Sequence, residues 1–286
     1  MSESKQRWRL IFGRDDEARY LSHLDAAHLW ERAFRRGDIP VATTEGFSPR
    51  PRLVFGAPLQ LGMLAEHELA DLFLSERLTR PALMARLQHG MPSGYRLVDV
   101  YDVWIGAPAL ATQLVAADYR LIALGAPPQS LARAAGALLA ATELRREKRR
   151  DKKVIAYDLR PLLLELRVLE ADPAALGEGF VAADVPAAAV WMRLRNSQEL
   201  GSGRPEEVVA AMGDELGLSV LGSIGPGEPE ARAAEEGGPS GEAAAADAGA
   251  AARLSTVRSG ATAAGAVIEI VRPVRERLWS ADELAV

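Results

Sequence analysis

The sequence predicts an α+β protein: a ferredoxin-like βαββαβ unit at the N-terminus, followed by a second, less regular ferredoxin-like unit. Three observations carry that expectation. Apolar residues alternate with a period of two in several short segments, amphipathic helical stretches separate them, and Gly, Pro and Asp mark the junctions.

Taken in order, "RWRLIFGRDD" alternates at Trp8, Leu10 and Phe12 and closes at Gly13, which predicts a strand. "SHLDAAHLWERAFRRGDIP" follows. Ser22 and Asp25 form a short-armed capping box, and Gly37 and Pro40 punctuate the far end of the helix. Ala27, Trp30, Ala33 and Phe34 share its apolar face, while Asp25, His28, Arg32, Arg35 and Arg36 share the polar one. "RLVFGAPLQL" and "HELADLFLSE" read as the next two strands. A helix runs from the N-cap Thr79 to about Gln88, and "YRLVDVYDVWI" supplies the last strand, closing the unit near residue 106.

The second unit begins near Thr112. "QLVAADYRLIAL" reads as a strand and "PPQSLARAAGALLAATEL" as a helix. "VIAYDLRPLLLELRVLE" gives strands with a corner at Pro161, "VWMRLRN" another strand, and "RPEEVVAAMGDELGL" a helix opened by Pro205. Residues 225–265 are Gly, Ala, Glu and Pro with little to bury, so disorder is expected there. "AVIEIVRPVRERLW" resumes as a final strand that returns to the second unit. The expected organisation is therefore 1–108, 109–224, an acidic insert at 225–265, and a strand and tail at 266–286.

Composition bounds the function. The 286 residues are 48% hydrophobic and 26% charged, with a net charge of −5, so no global basic field advertises nucleic acid. The insert holds six acids against three arginines, so the remainder is close to neutral. With no cysteine, disulfides and cysteine-ligated zinc or iron–sulfur clusters are excluded within this chain. The four histidines show no metal-binding spacing, and neither a signal peptide nor a membrane-spanning run is present. The expectation is a cytoplasmic protein without a cofactor.

Three features can carry chemistry. In "ATTEGFSPRPRLVFG", Gly46 permits positive φ, and Pro49 and Pro51 hold Ser48 and Arg50 extended. Thr43, Thr44, Ser48, Arg50 and Arg52 can then converge on an anion such as phosphate. The competing reading is a rigid connector whose arginines pair with Glu45 or water. Ser22, His23 and Asp25 open the first helix, where His23 can donate to an anion or act as a general base on a ribose hydroxyl. Capping alone is the plainer role. "LRREKRRDKK" (144–153) has seven basic residues against two acids, including Arg149, Lys152 and Lys153. Such a patch contacts about 3–5 phosphates if it meets nucleic acid. A solvated hairpin protected from aggregation by its charges is the alternative.

The run from Tyr20 to Leu74 resembles the bacterial radical SAM-linked protein family. Ser22 to Asp25, Arg32, Ala33, Arg35, Arg36, Pro40, Gly46, Phe47, Pro49, Pro51, Gly62, Glu68 and Asp71 match its pattern. "KKVIAYDLRPLL" and "RPEEVVAAMG" resemble later segments, so the resemblance covers roughly residues 7–220. Where that family carries GFNPHP, this chain has Gly46-Phe47-Ser48-Pro49-Arg50-Pro51. Arg50 cannot replace a histidine in acid–base chemistry but serves well for anion binding.

The resemblance implies a module fused to, or encoded beside, a cobalamin-binding radical SAM protein, often near genes of RNA processing. Lacking thiolates, this chain cannot hold a radical SAM cluster itself. The leading expectation is a non-catalytic accessory protein. It would bind RNA through Gly46, Phe47, Ser48, Arg50 and Arg52, the Arg32–Arg36 face and the 145–153 patch, and present it to a separate radical SAM enzyme. The rivals are a metal-independent endonuclease with His23 as base, and a protein-docking module without RNA contact. No membrane is expected as a partner.

Overall fold

The computed structural model describes residues 4–44, 47, 49–150, 153–171, 186–197, 201–221 and 267–284. The segment expected to be disordered, 225–265, lies outside them.

Strand β1 (Gln6–Arg14) leads through a 3-10 turn into α1 (His23–Arg36). Then come β2 (Leu53–Phe55), β3 (Leu64–Leu74), α2 (Arg80–Gly90) and β4 (Tyr95–Val103). β1 pairs antiparallel with both β3 and β4, and β2 pairs antiparallel with β3. The order β4-β1-β3-β2 is the ferredoxin-like one.

Ser22 caps α1 as expected: its hydroxyl accepts from the Asp25 N–H and donates to the Asp25 carboxylate. The buried face is Ala26, Trp30, Ala33 and Phe34, so Ala26 takes the place expected of Ala27. α1 and α2 approach closely at Gly90, where an added Cβ would stand 2.3 Å from the Ala33 carbonyl oxygen. The apolar run after Phe55 corrects the expected long strand. β2 ends at Phe55, and residues 56–63 form a loop that lends its carbonyls to buried arginines.

The second unit repeats the order. A short helix α3 (Leu110–Gln113) precedes β5 (Leu114–Leu124), α4 (Pro128–Ala140), and the hairpin β6 (Arg145–Arg150) and β7 (Lys153–Asp158). After a 3-10 turn at Pro161, the chain gives β8 (Leu163–Glu170), β9 (Ala187–Ser197), the two-residue β10 (Gly201–Ser202), α5 (Pro205–Leu216), β11 (Ser219–Leu221) and β12 (Val267–Ser280). A last turn, α6 (Ala281–Leu284), follows. β12-β5-β9-β8 is again the ferredoxin-like order, all antiparallel, with the β6–β7 hairpin inserted.

β12 returns to the second unit and does one thing more: it pairs parallel with β3 between Leu64 and His67, joining both units in one ten-stranded sheet. Its register shifts at Arg272-Pro273, where Arg272 takes a φ of 45°. Such a bulge reverses which side chains face inward. Ile270 pairs with Ala123 before it, Arg275 pairs with Tyr119 after it, and all four face the helices. The bulge thus turns a guanidinium into the interior.

Candidate functional site

Two of the three candidate features fall at opposite ends of β1. Gln6 pairs with Leu74 at one end and Arg14 with Ala65 at the other, about 25 Å apart at the usual strand rise. α1 runs back along β1, so its two termini are divided in the same way.

The end near Gln6 is basic. Ser75 N–H donates to the Pro40 carbonyl and Lys5 N–H to the Leu74 carbonyl, placing the exit of α1 beside the start of β1. Arg32, Arg35, Arg36, Arg50 and Arg52 are all exposed there. Arg36 donates to the Gly90 carbonyl at 2.9 Å. Arg52 lies 3.9 Å over the Phe73 ring and donates to the Ser4 hydroxyl. Phe47 is fully exposed. The Thr44 hydroxyl and the Thr43 backbone both take part in the turn. Thr44 Oγ1 accepts the Arg50 N–H, the Thr44 N–H donates to the Arg50 carbonyl, and Thr43 bridges to Pro51. Gly46 and Ser48 lie outside the described residues.

The other end holds a cavity lined by Phe12, Arg14, His23, Ala26, Phe55, Ala57, Leu59, Glu68 and Tyr95. His23 reaches it from the first turn of α1, its ring 5.3 Å from that of Phe55 in an edge contact. Ser22 and Asp25 satisfy each other and do not enter it. Arg14 is 4% exposed; Nε donates to the Met63 carbonyl, and Nη2 to those of Gln60 and Met63. Burial pulls its pKa below the usual arginine value, and burial likewise pushes the neighbouring Tyr95 hydroxyl up.

Glu68, 3% exposed, is held by Arg275 from β12, Nε to Oε1 at 2.6 Å and Nη2 to Oε2. Arg275 also donates to the carbonyls of Pro58 and Ala57 at 3.0 and 3.2 Å. Burial works against its charge, yet the Glu68 carboxylate outweighs burial and holds the pKa above the ordinary value. Tyr119, beside Arg275, is pushed up by burial.

The hairpin stands apart from both ends. Arg146 is not free for phosphate: it pairs with Glu207 and Asp214 of α5. Arg145 pairs with Glu143. Arg149 stands opposite Val154, and Lys153 opposite Arg150, in the register of the hairpin. Lys152 lies outside the described residues. Among those described, no group of three His, Asp or Glu side chains is placed to hold a metal, and no helix is long and apolar enough to cross a membrane.

The profile of one protein family matches residues 7–198. The chain belongs to DUF2344, described as an uncharacterized protein conserved in bacteria. The matched span of this family runs from β1 through β9, so it takes in Arg14, His23, Glu68 and Tyr95 and stops short of Arg275. Among solved structures, the chain is similar to an unknown protein from Galdieria sulphuraria. The two are 15% identical over 74% of this chain and 94% of that one, with a TM-score of 0.23. No curated protein matches the chain.

Sequence reasoning missed Arg14, Glu68, Tyr95 and Arg275 as a group. The signal was present in part. Arg14 and Glu68 interrupt runs of apolar residues on the inward face of their strands, where a charge needs a partner.

Proposed function

We propose that the protein is a non-catalytic accessory module that contacts RNA at the basic end of its first unit. In keeping with the radical SAM resemblance, it presents that RNA to a separate radical SAM enzyme in the cytoplasm. One observation carries this reading: Phe47 projects fully exposed from a turn braced by Thr44 and flanked by Arg50 and Arg52, with three further arginines of α1 at the same end. An exposed ring beside guanidinium groups offers a stacking face for an unpaired base and charge for its phosphates. The Arg149–Lys153 arm would add phosphate contacts from the second unit.

The endonuclease reading has one observation in its favour, the position of His23 on the rim of a cavity with Arg14 and Tyr95. Its ring meets Phe55 edge-on, and among the described residues no hydrogen bond ties it to a carboxylate that would orient it as a base. Binding without cleavage is therefore the favoured reading. A docking module without RNA contact would retain its partner at high salt, which a phosphate-driven contact would not.

The test is titration of single-stranded RNA across a salt series. Arg50→Ala and Arg52→Ala should weaken binding and lower the slope of log K against log salt by about 0.7 for each phosphate no longer neutralised. Phe47→Ala should cost about 1–3 kcal/mol of affinity. Unchanged affinity and slope in all three variants would overturn the RNA reading.

A further inference from the structure

We propose that an unpaired RNA strand crosses the Gln6 end of the first unit and stacks a second base on Trp104. The inference rests on the RNA reading above and deepens it. It adds a binding residue on the far side of that end and selects single-stranded over duplex RNA.

Trp104 follows the last residue of β4 and is 76% exposed, whereas Trp8, Trp30, Trp191 and Trp279 are buried or half-buried. An exposed indole forgoes a large apolar area that folding could have used. Its seat is a tight turn. The Ala107 N–H donates to the Trp104 carbonyl at 2.9 Å, and a Cβ added at Gly106 would stand 2.7 Å from Trp104 Cζ2. Glycine therefore lets the ring lie against the backbone on one side, and the rest of it faces solvent.

The turn belongs to the end of β1 that carries Phe47, Arg50 and Arg52. Val103 pairs with Arg7, Arg7 with Phe73, and the Phe73 N–H donates to the Arg52 carbonyl. Three strand spacings, about 14 Å, therefore separate β4 from Arg52. Side chains link the two margins on one face of the sheet. Arg7 Nη1 donates to the Ala107 carbonyl at 2.7 Å, the Arg7 guanidinium stands 5.5 Å from the Phe73 ring, and Arg52 lies over that same ring.

Lys5 and Arg77 add exposed charge to the arginines at this end, against the acids Asp38, Glu76 and Asp102. A surplus of bases suits a phosphate backbone. Rings at two margins of a basic surface suit a strand whose bases are free to stack on them. A duplex keeps its base faces inside and offers neither ring a partner.

The test is titration of full-length protein with oligouridylates of about four to sixteen nucleotides, and with the same strands paired to oligoadenylate. Trp104→Ala should leave Tm unchanged, since the ring is exposed. It should weaken binding of the longer strands about fivefold to tenfold. The shortest strands should lose less, because they can sit at Phe47 alone, and duplex affinity should not change. Trp104→Phe keeps a ring and should keep most of the affinity; Trp104→Leu, apolar without a π-face, should not. Long strands should quench tryptophan emission in the parent and not in Trp104→Phe.

Equal affinity of parent and Trp104→Ala at every length, with Phe47→Ala and Arg52→Ala still weakened, overturns the second stacking site and leaves the RNA reading standing. Trp104→Leu binding as well as Trp104→Phe overturns it in the same way. If no strand binds the parent, both readings fall.

Discussion

The two units share one strand order and fill it differently. The first packs Trp8, Phe12, Trp30, Phe34 and Tyr95 between sheet and helices, and buries Arg7, Arg9, Arg14, Glu68 and Asp71 on the two faces of its sheet. The second packs Leu, Val, Ala and Met, including Leu121, Leu138, Val208 and Met212. Apart from the inward Arg275, a group of its charges lies on the face away from the helices. There Arg167, Trp191, Arg193, Trp279 and Arg277 alternate in a cation–π ladder across three strands, with ring distances from 4.0 to 5.5 Å. An aliphatic core with surface charge is the inexpensive way to hold a sheet. Interior charge costs desolvation and must be fully paired. The contrast teaches that the first unit carries polar groups where a plain scaffold would not. Arg275, supplied by the second unit, completes their pairing.

The sharpest way to break that contrast is Asp71→Ala. Asp71 takes Arg7 through Oδ2 at 2.5 Å and Arg9 through Oδ1 at 2.8 Å, with all three side chains nearly inaccessible. Arg7 also donates to the carbonyls of Ala107 and Pro108, so removing the carboxylate leaves two guanidinium groups buried with only partial compensation. A loss of about 3–5 kcal/mol in urea unfolding is expected. A loss below about 1 kcal/mol would match an exposed pair and would mean that water reaches the cluster.

The second unit's ladder should respond less. Trp191 stacks between Arg167 and Arg193 and donates to Glu276 at 2.9 Å, but every member is at least partly exposed. Trp191→Ala should cost about 1–2 kcal/mol by the same measurement, from two partly solvated cation–π contacts and one hydrogen bond. A cost equal to that of Asp71→Ala would erase the distinction between surface and interior charge.

Much of this architecture was legible in the sequence, and the failures share a cause. Alternation placed β1, β4 and β5, the Ser22–Asp25 box placed the start of α1, and Pro161 marked the corner between β7 and β8. These are local effects, set by residues within one turn of each other. Residues 56–61 look like the rest of a strand because they are largely apolar, yet carbonyls of the 56–63 loop are needed by Arg14 and Arg275, more than forty and two hundred positions away. Arg275 itself reads as outward-facing from the alternation of Ile268 and Ile270, and only the bulge at Arg272 turns it in. Glu68 and Asp71 belong to the pattern behind the family resemblance, but which arginine each would meet is a matter of register between strands. Residues at the rim, such as His23 and Phe47, were found because helix starts and stiff turns advertise themselves locally.

The smallest effect tests the seam between the units, at the loop that serves the cavity. Gln60 Nε2 donates to Glu206 Oε1 at 3.2 Å, while Gln60 Oε1 and Glu206 Oε2 are buried with no partner among the described residues. Burial raises the Glu206 pKa above the usual carboxylate value. A raised folded-state pKa favours the protonated form, so its stabilising contribution is complete below the unfolded pKa and is lost as pH rises through the folded one. Glu206→Gln removes that loss and offers an amide that can donate to Gln60 Oε1. Against it stands the loss of a carboxylate in the first turn of α5, worth a few tenths of a kcal/mol, with Glu207 still in place. The variant should therefore melt slightly above the parent at neutral pH, and the difference should shrink as the pH falls into the ordinary carboxylate range. A difference that is constant with pH would mean that Glu206 keeps its charge in the seam, with water rather than Gln60 as its partner.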